Sequence, residues 1–218
     1  MGQRENSWCR LLAQLGSAKK ALLLSLLVLF ALPSHPQTDG SRHWIEASGQ
    51  IREEGYELFR IYSVLKKKME VAEDVLWGIA RTVQKESKGH SVDPMLVLAI
   101  IDNESRFQVK AVSKEGARGL MQIHPSVAHA LAKEAEVHLG HGLKSLDDPI
   151  MNIKLGVLYL RSLRNSFKDL KLALAAYNHG PAAVRSRLAE EGTFSSRYAV
   201  KVLSTYRSLR KQPPRATD

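Results

Sequence analysis

Residues 92–107 read VDPMLVLAIIDNESRF, and this stretch decides the fold. Asp93 and Pro94 predict a helix start: Asp accepts from an early backbone N–H, and Pro fits the first helical position. Glu104 follows Ile100 by one turn and Val97 by two, so these residues share a face. A carboxyl on an apolar face is partly desolvated, which favours the protonated form that a general acid needs. A solvated glutamate at a frayed helix end is the alternative interpretation.

The rest of the C-terminal half predicts further helices. Asp148 and Pro149 repeat the start signal, and apolar periodicity predicts helices over 94–105, 125–135, 149–165, 169–179 and 195–210. The glycine-containing segment 112–123 predicts a loop with at most a small hairpin. No segment alternates with period two for long enough to predict a strand, so we expect a mainly α domain.

An amphipathic segment precedes these helices. Apolar residues recur at alternating spacings of four and three from Ile51 to Val83, which predicts one long helix, followed by a loop over 84–92. Such a helix either forms a coiled coil with a second copy or a partner, or lies along its own domain. We favour the second arrangement, and with it a monomer.

The N-terminus resembles an export signal. Lys19 and Lys20 precede the apolar run ALLLSLLVLFAL at residues 21–32, and Pro33 follows it. The run has about 12 residues, whereas a membrane span needs about 20. A cleaved signal is favoured over an uncleaved anchor or a buried helix. Cys9, the single cysteine, would leave with the signal.

Composition excludes several classes of protein. The 218 residues are 44% apolar and 25% charged, which excludes a disordered or collagen-like chain, and one cysteine excludes a disulfide scaffold. The net charge of +10 favours an anionic partner, but the basic residues are scattered, which argues against nucleic acid. No cofactor or metal site is predicted, because the histidines lack the spacing of metal ligands: His124, His129, His138 and His141.

Four separated segments together resemble one family, the soluble lytic transglycosylases. They are the helix quoted above, AVSKEGARGLMQIHP at 111–125, ALAAYNHGPAAV at 173–184 and SSRYAVKVLSTY at 195–206. The order and spacing match over roughly residues 75–210. The resemblance implies a lysozyme-like, goose-type fold. Together with the N-terminal apolar run and the heptad segment, it divides the chain into a signal or anchor (1–32), a helical arm (33–74), a catalytic domain (75–212) and a flexible tail (213–218).

The resemblance also implies a reaction. Family members cut the β-1,4 bond between N-acetylmuramic acid and N-acetylglucosamine without adding water, and leave a 1,6-anhydro end. The matching catalytic acid, which then acts as base, is Glu104. The matching substrate-binding residues are Ser105, Met121, Gln122, Tyr177, Asn178 and Tyr198.

Some of these matches have purely structural alternatives: a helix cap for Ser105 and Asn178, and core packing for Met121 and Tyr198. The expected partner is the glycan strand of peptidoglycan, in the periplasm, with a secretion, pilus or flagellar machine as a further possibility. A lysozyme-type hydrolase and a non-catalytic wall-binding subunit are the alternative functions.

Overall fold

The computed structural model describes residues 39–140 and 142–211, so the predicted signal and tail lie outside the described residues. The described part is mainly α-helical, as predicted, and its β structure is limited to two isolated bridges, Val112–Arg118 and Arg118–Ile123. Its helices are α1 Asp39–Lys68, α2 Glu73–His90, α3 Pro94–Glu104, α4 Pro125–Leu131, a 3₁₀ turn Gly142–Asp147, α5 Pro149–Phe167, α6 Leu170–His179, α7 Pro181–Glu191 and α8 Arg197–Lys211. None of these described helices combines the length and apolarity needed to cross a bilayer.

The described residues belong to two compact units, 39–57 to the first and 58–140 and 142–211 to the second. The described part of the first unit is helical throughout. The second unit contains the end of α1, where Ile61 and Leu65 are fully buried. It also contains every candidate site residue.

Helix α3 lies at the centre of the second unit. Every residue from Pro94 to Ile101 is buried, and α2 and α8 pack against the helix. The Asp93 side chain caps α3 by accepting from the Met95 N–H at 2.8 Å. Its second oxygen accepts from the Tyr206 hydroxyl on α8 at 2.7 Å. Glu104 is therefore the last residue of a helix whose start is capped and whose body is enclosed.

The prediction of one helix from Ile51 to Val83 was wrong, because the chain turns between α1 and α2. Tyr62 stacks on Trp77 with ring centroids 4.2 Å apart. In a continuous helix these residues would be separated by about 22 Å along the axis. Glu73 also returns to Lys66, with 2.7 Å between carboxylate and ammonium. The heptad pattern continues across the turn: Tyr62 and Leu65 are buried in α1 and Leu76 and Val83 in α2, whereas Ile51 at its start is 58% exposed.

Three other boundaries differ from prediction. Residues 84–90 are helical rather than part of a loop: α2 continues to His90, and Ser91, with a left-handed φ of 53°, is its C-cap. Helix α4 ends at Leu131, four residues earlier than expected. Helix α7 was not predicted, because Gly180 and Pro181 were interpreted only as the end of α6, whereas Pro181 also begins the next helix.

Candidate active site

The site is centred on Glu104 and Tyr198, which come from two packed helices. The Tyr198 hydroxyl donates a hydrogen bond of 2.6 Å to Glu104 Oε1. Glu104 ends α3, and Tyr198 lies in the first turn of α8. Both side chains are partly buried. The packing of α8 on α3 therefore brings together two predicted site residues that are 94 positions apart.

Burial controls the protonation of Glu104. Desolvation raises its pKa from 4.5 to about 7, and the hydrogen bond from Tyr198 acts in the opposite direction. Desolvation raises the pKa because it penalises the charged form of the carboxyl, and here it outweighs the hydrogen bond, which stabilises that form. Near neutral pH, a substantial fraction of the molecules thus carry a proton at Glu104, which is the condition for a general acid.

Tyr177 lies near the same carboxyl and is oriented by the backbone. Its hydroxyl donates to the Met121 carbonyl at 2.9 Å. Its ring contacts Tyr159, with centroids 5.3 Å apart. Burial and the nearby Glu104 carboxylate raise the pKa of the Tyr177 phenol well above 10. Tyr177 is therefore neutral, and it can act only as a hydrogen-bonding group.

The loop that contains Met121 and Gln122 is fixed in place by its own contacts. The side-chain amide nitrogen of Gln122 donates to the carbonyls of Ala111 and Gly119, at 3.0 and 2.9 Å. The Met121 side chain is fully buried against Gly156, so Met121 contributes its backbone carbonyl to the site rather than its thioether.

Asn152 was not predicted from the sequence. This α5 residue is fully buried and bonds the Met121 N–H, the Arg118 carbonyl and the Leu146 carbonyl, at 2.7, 2.8 and 2.9 Å. A signal was present, because Asn152, Gly156 and Tyr159 share one helical face in an otherwise apolar stretch.

Two other predicted site residues differ from each other in burial. The Ser105 side chain is buried, and its hydroxyl donates to the Ile101 carbonyl at 3.1 Å, as a helix-capping serine does. Asn178 is exposed near the end of α6, whose C-cap is Gly180. Their roles in substrate binding stay predictions.

Three other carboxyls of the domain have partners elsewhere. Asp147 forms a paired interaction with Arg118 at 2.7 and 2.9 Å, and Asp148 caps α5. Asp102 faces Lys68 at 3.6 Å. Within residues 39–140 and 142–211, no group of three or more His, Cys, Asp or Glu side chains is arranged to hold a metal ion.

The chain is similar to known murein transglycosylases. It is 30% identical to the soluble lytic murein transglycosylase of Salmonella typhimurium over 149 residues, which is 68% of this chain and 22% of that protein. It is 35% identical to membrane-bound lytic murein transglycosylase C of Mannheimia succiniciproducens over 111 residues, which is 47% of this chain and 31% of that protein. The chain thus spans less than a third of the length of either relative.

Solved structures agree on the fold. The 70 kDa soluble lytic transglycosylase of Escherichia coli superposes with a TM-score of 0.55 at 24% identity, over 95% of this chain and 33% of that chain. The family model described as the transglycosylase SLT domain matches residues 81–200. Because that match covers more than half of the 218 residues, the chain belongs to the transglycosylase SLT domain family.

Proposed function

We propose that this protein is a peptidoglycan lytic transglycosylase with Glu104 as its single catalytic carboxyl. The observation that carries the proposal is the partly buried Glu104, with its pKa raised to about 7, held by Tyr198 at the end of the buried helix α3. Family membership and the names of the relatives support murein as the substrate class.

The surroundings of Glu104 favour one carboxylate rather than two. Most glycosidases place a pair of carboxyls about 5–9.5 Å apart, and a second charge at such a distance would raise the pKa of the first. Among the described residues, only burial and Tyr198 perturb the pKa of Glu104. A reaction with one acid–base group fits this site, because the substrate supplies the nucleophile.

In the proposed reaction, Glu104 first donates its proton to the glycosidic oxygen. The bond from that oxygen to C1 of N-acetylmuramic acid breaks, and N-acetylglucosamine leaves with a new hydroxyl. The resulting Glu104 carboxylate then removes the proton from the C6 hydroxyl of the muramoyl residue, and the C6 oxygen bonds to C1. Glu104 ends protonated again, and no water is consumed. The tethered nucleophile acts at high effective concentration.

The neighbouring groups have supporting roles in this proposal. Tyr198 orients the Glu104 carboxyl and stabilises its anion between the two proton transfers. Met121 and Gln122 lie in the loop over 111–123, which lines the sugar-binding cleft in this proposal. Asn178 offers an exposed amide for the acetamido groups of the glycan.

The products distinguish this reaction from hydrolysis. Digestion of purified sacculi is expected to give muropeptides with 1,6-anhydro ends, each one water lighter than the product of a hydrolytic muramidase run in parallel. Mass spectrometry of the products checks this expectation. New reducing ends equal in number to the bonds cut would establish the hydrolase instead, and an intact sacculus would favour the wall-binding subunit.

Removing the Tyr198 hydroxyl is expected to shift the pH dependence of the reaction. The first step needs protonated Glu104, so kcat/KM falls as the pH rises through the pKa of about 7. The hydrogen bond from Tyr198 lowers this pKa. In Tyr198→Phe the pKa rises, and the descending limb of the profile moves up by about one pH unit.

Tyr206→Phe is the matched control for this shift. Tyr206 lies on the same helix, but its hydroxyl bonds Asp93 at the other end of α3. The control should keep the descending limb of the wild-type profile. A Tyr198→Phe profile that coincides with the wild type would contradict the assignment of that limb to Glu104.

We also propose that the protein acts in the periplasm, directed there by residues 1–32. Peptidoglycan glycan strands are the proposed partner, and the net charge of +10 favours their carboxylates. Association with a secretion, pilus or flagellar machine stays a prediction.

A further inference from the structure

Asn152 makes more specific contacts than ordinary core packing requires. Its side-chain nitrogen donates to the carbonyls of Arg118 and Leu146 at 2.8 and 2.9 Å, and its oxygen accepts from the Met121 N–H at 2.7 Å. All three groups are backbone atoms outside α5. A buried amide at full hydrogen-bond distance from three backbone groups fixes their relative positions.

The Met121 peptide is held from its other side by Tyr177. The Tyr177 hydroxyl donates to the Met121 carbonyl at 2.9 Å, while Asn152 holds the Met121 amide. The Met121 side chain allows little movement, because a Cβ added at Gly156 would lie only 2.3 Å from its sulfur. Asn152, Met121 and Tyr177 therefore form a continuous series of contacts, which we call the Met121 clamp.

The Met121 clamp determines which acceptor the Tyr177 hydroxyl bonds. A phenol has one proton to donate, and here it is donated to the Met121 carbonyl. Glu104 is close enough for its charge to raise the pKa of Tyr177. If the Met121 peptide turned, Tyr177 would lose its acceptor and its fixed position beside Glu104.

We propose that Asn152 is a positioning residue of the active site, which acts by holding the Met121 carbonyl in place for Tyr177. This inference rests on the proposed function, because it assigns the Met121 clamp to the reaction of Glu104. Asn152 does not touch the reacting atoms. Its loss acts through Tyr177, so the effects of changing the two residues are coupled rather than additive.

Asn152→Asp is the most informative variant. Aspartate keeps the volume of the side chain and an acceptor for the Met121 N–H, but it replaces the amide donor that faces the carbonyls of Arg118 and Leu146. Asn152→Ser is the second variant, with a smaller side chain that reaches fewer of the three groups. Asn165→Asp is the control, because Asn165 lies on the same helix with an exposed side chain.

The experiment measures kcat and KM on purified glycan strands, at a temperature where thermal unfolding shows each variant to be folded. We expect both Asn152 variants to lose about 10- to 100-fold in kcat with KM within about twofold of wild type, and Asn165→Asp to keep both constants. Combining Asn152→Asp with Tyr177→Phe should lower kcat no further than the more damaging single change.

Additive losses in the double variant, or an unchanged kcat in a folded Asn152 variant, would overturn the proposal. These outcomes are distinct from failure of the proposed function, in which the wild type itself releases no anhydro products. If neither Asn152 variant folds, hydrogen–deuterium exchange of Tyr177→Phe tests the clamp through the bond from Tyr177 to the Met121 carbonyl. Faster exchange at the Met121 amide supports it, and unchanged exchange rejects it.

Discussion

Replacing Glu104 with glutamine is expected to lower the turnover of peptidoglycan by about three to four orders of magnitude. Glutamine keeps the size of the side chain and can still accept from the Tyr198 hydroxyl. It can neither give a proton to the leaving oxygen nor take one from the C6 hydroxyl, so both proposed steps are lost. Release of anhydromuropeptides from sacculi measures the effect.

The same variant has an opposite effect on stability. Glu104 has a folded-state pKa of about 7 against an ordinary value of 4.5, so between these values the folded state holds more protons. Stability from this group is therefore present below pH 4.5 and is lost as the pH rises through 7. Glu104→Gln should match the wild type in unfolding free energy at about pH 4 and exceed it at about pH 8, by at most roughly 3 kcal/mol.

Glu115→Gln is the control, because Glu115 is an exposed carboxyl on the loop before Gly116. It should keep wild-type turnover and the wild-type dependence of stability on pH. If Glu104→Gln retained more than a tenth of wild-type turnover, Glu104 would not be the catalytic acid. Equal stability of Glu104→Gln and wild type at alkaline pH would show that the carboxyl is not desolvated.

Gly119→Ala is expected to cost about 2–5 kcal/mol of folding free energy, the sum of a backbone cost and a steric cost. Gly119 has a φ of +78°, and an added Cβ would lie 2.2 Å from Asn152 Nδ2 and 2.4 Å from the Leu146 carbonyl oxygen. The left-handed backbone costs a non-glycine residue about 1–2 kcal/mol, and overpacking adds about 1–3 kcal/mol. Chemical denaturation of wild type and variant measures the loss.

Gly116→Ala separates the two contributions. Gly116 has a similar φ of +84°, but a Cβ there meets nothing within 4 Å. It should lose only about 1–2 kcal/mol, because the backbone cost is present and the clash is absent. If the two alanine variants were equally stable, the close approach of Asn152 to the loop would not constrain the fold.

Local sequence signals predicted the helices that begin with a capping aspartate followed by proline. Asp93 and Asp148 cap α3 and α5 as expected, because their contacts lie within a few residues. The turn between α1 and α2 was not predictable in this way. The heptad spacing is the same for a straight helix and for two helices that bury one stripe, and the Tyr62–Trp77 stack exists only in the folded chain.

The residues of the candidate site also differ in how far the sequence indicates them. The apolar helix face made Glu104 a candidate, and the resemblance of four separated segments to one family selected it; its raised pKa agrees with a desolvated position. Asn152 was missed because the face that it shares with Gly156 and Tyr159 indicates a special position but does not identify the groups that its amide meets. Its partners come from segments up to 34 residues away, and no local pattern indicates them.

The burial of α3 from Pro94 to Ile101 has a consequence for how the site moves. A helix surrounded by packed side chains from Pro94 to Ile101 cannot tilt or slide without opening the interior, so Glu104 has a stiff support. In the proposed reaction, any movement that admits or releases the glycan strand would then occur in elements other than α3. Glu104 would act from one fixed position in both proposed proton transfers.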